Sequence, residues 1–422
     1  MVSQVPLFQL EGGLQSYEWG KEGEQSLAAM YASAVGTKID GSKPYAELWM
    51  GTHPTAPSVD MESGMQLQEK LAGDKMLMSH PVAQKYGNRL PFLFKILSIK
   101  KALSIQAHPN KKLASMLHEK DPEHYGDDNH KPEMAIAITD FEGFCGFRPL
   151  NEISSFISSV PELSDVLGEA ANSFQDAVTR NIDKENGKKA LQEAFKSLMT
   201  TKAADIEKLA NKLVARAKAE GASFAGKHGG KEFADLIIRL DSQFPQDVGL
   251  FVAFFLNFVK LKPGEAMFLR ADDIHAYLAG DIVECMAASN NVVRAGFTPK
   301  FKDVDTLVDM LTYSYAPISE QKMQPEKFDR AEGEGSTLLY NPPIDEFAVL
   351  KTDLAKGQME TIHGLHGPSI LIVTSGNGVL SVGHKTREAK EGFIYFIGAT
   401  AELQMKGASD KSFITHRAFC EV

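Results

Sequence analysis

Short apolar runs separated by turn residues fill the first 149 positions, among them PFLFKILSI (91–99), ALSIQAHP (102–109) and MAIAITDF (134–141). Runs of this length, rich in Ile, Leu and Phe and bounded by Gly, Pro, Asn or Asp, read as strands. Near Leu150 the period changes. Leu191, Phe195 and Leu198 recur at helical spacing, as do Ile206, Leu209 and Leu213, then Phe233, Leu236, Ile237 and Leu240. Ala, Lys and Glu fill the gaps, which predicts amphipathic helices. After Leu261 strand character returns behind the Pro263-Gly264 turn signal. Polar QPEKFDRAEGEGS (324–336) reads as a linker or long loop, and short glycine-punctuated strands follow from Phe347 to Val422. The expected fold is mainly β with an α insert: one β-rich domain from 1–149 and 261–322, a helical insert at 150–260 and a second β-rich domain at 323–422.

Composition narrows the class. The chain has 422 residues, 43% apolar and 24% charged, which suits a globular protein of two or three domains. Its net charge of −10 gives no reason to expect nucleic acid or an anionic membrane as partner. Cys145, Cys285 and Cys420 are odd in number and far apart, which excludes a disulfide framework and a four-cysteine zinc site and fits a reducing compartment. The N-terminus lacks the basic start and apolar core of a signal peptide. The apolar run Val248 to Phe258 contains Asn257 and falls short of the roughly 20 residues that cross a bilayer. A soluble, cytoplasmic protein with no membrane partner is expected.

The densest chemistry lies in three separated segments. In Ser104-Ile-Gln106-Ala-His108, strand alternation puts Ser104, Gln106 and His108 on one face, with Leu103, Ile105 and Ala107 opposite. An amide and an imidazole two residues apart can converge on one ion; taken alone, a half-solvated strand is the simpler account. In Tyr125-Gly-Asp-Asp-Asn-His-Lys-Pro-Glu133, Pro132 disfavours a helical Lys131, so Lys131 and Glu133 point the same way if the chain is extended. That pair could join a metal ligand to a phosphate or proton-transfer partner, although a charged loop explains it equally in isolation. The third segment holds Asp272, Asp273, His275, Tyr277, Glu284 and Arg294 among small or apolar residues. Buried charge is costly unless paired or coordinated, so this cluster suggests an interior polar site.

Other patterns carry less. Gly221-Ala-Ser-Phe-Ala-Gly-Lys-His228 nearly matches a phosphate-binding loop, but His228 replaces the magnesium-binding hydroxyl and the preceding sequence is helical. His363 and His366 have no nearby carboxylate that completes a ligand set and read as surface histidines. His118-Glu119 lacks the second histidine of a metalloprotease helix, and no cysteine has a locally placed histidine.

YGDDNHKPE (125–133) and HAYLAGDIVECMAASNNVVRAGFTPK (275–300) closely resemble the two signature segments of the type I mannose-6-phosphate isomerases. YEWGK (17–21), AELWMGTHP (46–54), LPFLFKILSI (90–99) and QAHPNKKLA (106–114) also resemble that family, in the expected order. The resemblance covers nearly the whole chain and is weakest in the helical insert and the last hundred residues. It implies two cupin-type β-barrel or jelly-roll domains with a helical domain inserted in the first, one zinc ion per chain, and a sugar-phosphate substrate. By position it implies Gln106, His108, Glu133 and His275 as metal ligands and Arg294 as a catalytic residue. Glu284 and Lys131 match pocket positions considered for catalysis, and Trp19, Glu47, Lys95, Ser104, Tyr277 and Lys300 match substrate-pocket positions. One departure stands out: the family usually has Ser-Asp-Asn where this chain has Ser289-Asn290-Asn291, which removes a carboxylate four residues before Arg294.

That ligand set makes chemical sense. Zinc accepts imidazole nitrogen and carboxylate or carbonyl oxygen, and a neutral glutamine leaves the site net positive, suited to hydroxyl, carbonyl or enediolate oxygens. The implied reaction interconverts mannose 6-phosphate and fructose 6-phosphate through a cis-enediol, feeding mannose metabolism and GDP-mannose synthesis. Zinc and Arg294 would stabilise the enediolate, Glu284 is a candidate proton shuttle, and Lys95, Ser104, Lys131 or Lys300 would hold phosphate. A monomer is expected. The rival classes are a double-cupin binding module that has kept the pocket, and an iron oxygenase, against which Gln106 counts because a fourth ligand leaves fewer positions for dioxygen.

Overall fold

The Phe92–Ile99 strand is buried at all eight positions, and what covers its two faces defines the architecture. The computed structural model describes residues 5–422. Phe92, Phe94 and Ile96 join one apolar cluster with Leu48, Met50, Met134, Ile136, Val283 and Cys285. Leu97 and Ile99 face the opposite way, into a cluster with Ala135, Ala137, Tyr277 and Ile282. The strand is flanked by Glu47–Met50 and His275–Ala287, and the sheet continues through Glu133–Ala137 and Ala266–Leu269, all antiparallel.

His275–Ala287 is shared between two groups of strands. Its first half pairs with Phe141–Phe147 and Ile105–Ala107, its second half with Phe92–Ile99 and Glu133–Ala137. The register shifts between Glu142 and Gly143, and Gly280 adopts φ +116. A Cβ there would lie 2.6 Å from the Asp140 carbonyl oxygen, so only glycine passes. The irregularity changes which positions face inward, from His275 and Tyr277 to Ile282, Glu284 and Met286.

The helices of the insert lie between Leu150 and Val252, while shorter ones, Leu27–Ser33, Leu67–Gly73, His80–Tyr86, Lys111–Lys120, Val304–Met310 and Ile318–Gln321, sit among the strands on either side. Their apolar stripes, Leu191, Phe195, Leu198, Leu213, Phe233 and Leu240 among them, share one core with Ile105, Ala107, Phe144, Ala276, Leu278 and Val293. The insert therefore covers the outer face of the strands whose inner face carries Gln106 and His275. The near phosphate-loop sequence forms two 3-10 turns, Gly221–Ser223 and Gly226–His228, between helices.

The C-terminal region is a sandwich of an eight-stranded and a five-stranded antiparallel sheet around a core that includes Leu350, Leu371, Tyr395, Leu403 and Phe413. The first strand of the chain, Leu7–Glu11, belongs to this distant sheet, paired with Ile394–Ile397. Residues 324–336, expected as linker or loop, include the short strands Glu326–Lys327 and Ala331–Gly333, and Lys322–Met323 forms another just before them. They are charged edge strands held by their neighbours' hydrogen bonds rather than by their own apolar pattern. Phe8, Val349, Ile370 and Phe396 pack into the same cluster as Phe94 and Ile136, so the two β regions share a core. Neither closes into a barrel. Among the described residues no helix is long and apolar enough to cross a membrane.

Burial lowers the pKa of His416 from 6.5 to about 3. The unfolded chain takes up a proton that the folded chain refuses. Stability therefore falls as pH drops below 6.5, by about 1.4 kcal/mol per unit, until pH nears the folded value. A His416→Gln variant is expected to flatten the pH dependence of unfolding free energy between pH 6.5 and about 5 by close to one proton. Denaturant titrations of both proteins would measure this, and equal slopes would place the titration elsewhere.

Candidate metal centre and active site

Three strands set the polar residues in a row. Gln106, central in the short Ile105–Ala107 strand, lies opposite His275 on one side and Arg294 on the other. Cross-strand partners share a face, so an amide, an imidazole and a guanidinium stand side by side. Ile105 and Ala107 point into the helical insert's core, which fixes the register, since a one-residue slip would bury Gln106 there instead. Glu133 opens its own strand opposite Met286.

His108, Glu133 and His275 are buried, with ligand atoms all within 4.8 Å of one another. Nε2 of His108 is 3.3 Å from Glu133 Oε1, and Nε2 of His275 is 3.4 Å from Oε2. Each ring is oriented from behind: His108 Nδ1 donates to the Asn291 carbonyl at 2.7 Å and His275 Nδ1 to the Asp273 carbonyl at 3.2 Å. A carbonyl only accepts, so each proton sits on Nδ1 and each Nε2 lone pair faces the centre. The buried His275 Nε2 has no hydrogen-bond partner, a cost that coordination would relieve.

Burial, opposed by Glu133, lowers the His108 pKa to about 4, which keeps the imidazole neutral. Burial alone would raise Glu133, but the Lys131 ammonium beside it holds its carboxyl well below the ordinary range. The Gln106 amide oxygen accepts from Ser104 Oγ at 2.8 Å while its nitrogen lies 3.4 Å from His108 Nε2. Rotating the amide by half a turn brings its oxygen to the centre and lets its nitrogen donate to Ser104. Two imidazoles, a carboxylate and an amide oxygen then form a donor set that fits zinc.

A second buried set adjoins this group. Lys95 Nζ lies 3.2 Å from Glu284 Oε2, 3.5 Å from Glu47 Oε2 and 5.0 Å above the Trp49 ring, while the Trp49 indole donates to Glu47. Burial opposes the Lys95 charge, yet Glu47 and Glu284 outweigh it and raise its pKa. Burial pushes the Glu284 carboxyl up, against the pull of Lys95 and with Glu133 adding to the rise. Lys131 Nζ is 3.0 Å from Glu133 Oε1, and the Tyr277 hydroxyl is 3.5 Å from Oε2. Trp19 packs half-buried on the cluster that contains Tyr277 and Ile282.

Arg294 is half-buried and, among the described residues, has no carboxylate partner. Asn290 is exposed and bonds through its backbone N–H to Asp127 Oδ2 at 2.7 Å. Lys300 is exposed, and its backbone N–H bonds to Thr298. Trp49 was not singled out by the sequence reading, although it shares the inward face of its strand with Glu47 and alternation pointed to it. The carbonyl anchors of His108 and His275 left no signal, because any residue can supply a carbonyl. Exposed His363 sits 3.3 Å from both Glu332 and Glu402, which are remote in sequence.

Fold and site together define a cupin-type metal enzyme, with a two-histidine, one-carboxylate group on the inner face of its sheet. The models of the type I phosphomannose isomerase catalytic domain, helical insertion domain and C-terminal region match residues 7–150, 166–256 and 337–385. The mannose-6-phosphate isomerase of Emericella nidulans is 53% identical over 450 residues, covering 99% of this chain and 98% of the relative. That of Saccharomyces cerevisiae is 49% identical over 429 residues, covering 98% and 99%. The crystal structure of mannose 6-phosphate isomerase from Salmonella typhimurium, bound to substrate (F6P) and zinc, aligns with TM-score 0.83 at 30% identity over 99% of this chain and 100% of that one. The chain belongs to the type I phosphomannose isomerase family.

Proposed function

We propose that the chain is a zinc-dependent aldose–ketose isomerase that interconverts mannose 6-phosphate and fructose 6-phosphate. The observation that carries this reading is the buried His108–Glu133–His275 group, with Arg294 in the adjacent cross-strand position and, among the described residues, no acid paired with it. Family membership and the substrate- and zinc-bound bacterial neighbour support it.

After ring opening, a proton moves between C2 and C1 through a cis-enediol. The barrier is removal of a weakly acidic proton beside a carbonyl, so stabilising the enediolate is the main task. Gln106, His108, Glu133 and His275 would hold the zinc ion, which when bound would supply Lewis-acid polarisation of the substrate oxygens. Arg294 donates to O1 or O2 as negative charge develops. Glu284 carries the proton as a buried carboxyl outside the ligand set whose pKa burial raises, with Lys131 the second candidate. Ser104, Lys131 and Lys300 bind the phosphate, Lys95 orients Glu47 and Glu284, and Trp19 and Tyr277 wall the pocket.

In this reading residues 1–149 and 261–322 form the catalytic domain, 150–260 the helical insert and 323–422 the C-terminal domain. The protein works as a cytoplasmic monomer, in keeping with three buried free cysteines, and supplies mannose metabolism and GDP-mannose synthesis.

An enzyme-linked assay of mannose 6-phosphate conversion to fructose 6-phosphate, run before chelation, after it and after zinc is restored, tests the proposal. Activity is expected to disappear and return. A folded, zinc-replete sample without activity would overturn it in favour of a sugar-binding module.

A further inference from the structure

Asp127 is the hub of a hydrogen-bonded knot between two loops that meet only in the folded chain. Its Oδ1 accepts from Ser289 Oγ at 2.7 Å and from the Asn129 N–H at 3.1 Å. Its Oδ2 accepts from the Asn290 N–H at 2.7 Å, and its backbone carbonyl from Asn291 Nδ2 at 2.7 Å. The Asn129 carbonyl accepts from Asn291 Nδ2 at 3.0 Å and lies 3.0 Å from Ser289 Oγ. The consequence of the knot lies at its far end. The carbonyl of fully buried Asn291 is the one that holds His108 Nδ1 at 2.7 Å.

We propose that Asp127 is a positioning residue for the metal centre. It fixes residues 289–291 so that the Asn291 carbonyl sets the tilt and tautomer of His108, and it acts through that carbonyl rather than on substrate. The carboxylate is needed because its two oxygens must accept three donors, Ser289 Oγ and the backbone N–H groups of Asn129 and Asn290. An asparagine there would turn an amide N–H₂ toward one of those donors. Groups that orient a metal-binding histidine from behind govern affinity as well as geometry. The same segment is tied at its other end to the C-terminal region, where His130 Nε2 lies 2.5 Å from Glu346 Oε1. Asp127 lies between that tie and residues 289–291, so its loss would be felt across the loop pair, at the Asn291 carbonyl.

The proposal rests on the metal-dependent reading above, and its test is built to fail separately. Asp127→Asn and the milder Ser289→Ala are compared with the wild-type protein for zinc loss to a chelator, for the visible spectrum of the cobalt-loaded form, and for the melting temperature of the metal-free protein. Asp127→Asn is expected to release zinc about 10–100-fold more readily and to shift the cobalt absorption, with metal-free melting nearly unchanged. Ser289→Ala moves the same quantities less, and it decides the matter if Asp127→Asn does not fold. Zinc retention within about twofold of wild type in the folded variants would overturn the proposal. So would weaker zinc binding matched by an equal loss of metal-free stability, which marks a mere staple between loops. A wild-type protein that holds zinc but lacks isomerase activity would sink the functional reading alone.

Discussion

A Glu133→Gln protein is expected to lose its metal and to keep less than about one thousandth of wild-type turnover, a loss at the upper end of what one preorganised group supplies. The substitution keeps shape and removes charge. Glu133 is the one anionic member of the ligand group, and each of its oxygens faces a different imidazole. A neutral amide leaves the cation with no negative ligand and places it beside the Lys131 ammonium, which now pairs with Glu133 at 3.0 Å. Metal affinity is expected to fall on the order of 10²-fold or more, beyond the usual effect of a supporting group. Metal content after gel filtration, read with activity, checks the result. A variant that retains stoichiometric zinc and near-normal rates would remove Glu133 from the ligand set.

Arg294→Lys is expected to separate chemistry from metal binding. Arg294 stands across the strand pair from Gln106 and, among the described residues, is paired with no acid, so its donors are available to an oxyanion. Lysine preserves the charge but presents a point ammonium on a different stem, without the planar fork of guanidinium donors. The expected loss is about 10²–10³ in kcat, the range for removal of one preorganised donor. KM should change less and zinc content should stay at one per chain. Kinetics alongside metal analysis measure all three, and near-normal turnover would take the arginine out of the mechanism. Asn290 is not expected to matter here, because it meets Asp127 through its backbone rather than bonding to Arg294.

Much of the site was legible because it follows local rules. Gln106 and His108 flank Ala107, whose burial in the insert's core turns them inward. Pro132 keeps Lys131 and Glu133 extended, and their side chains meet. His275 and Tyr277 sit two apart on one strand, and both reach Glu133. The Lys95, Glu47 and Glu284 set was less legible. Lys95 faces Glu284 and Trp49 across paired strands, and register between distant strands is not written in either strand alone.

The sequence by itself determined the alternation of strand, helix and strand. Periods of 2 and 3.6 are properties of neighbouring residues, and hydrophobic burial acts on them directly. It also determined the residue types from which a positive, oxygen-seeking centre can be made. The tertiary structure decided the rest. It placed Leu7–Glu11 in the sheet built by the last hundred residues, put both β regions on one shared core and let Gly280 switch the inward face of the strand that joins His275 to Glu284. It also brought the Asn291 carbonyl behind His108. Those arrangements depend on strand pairing and loop closure between residues far apart in the chain, where no local pattern records the partner.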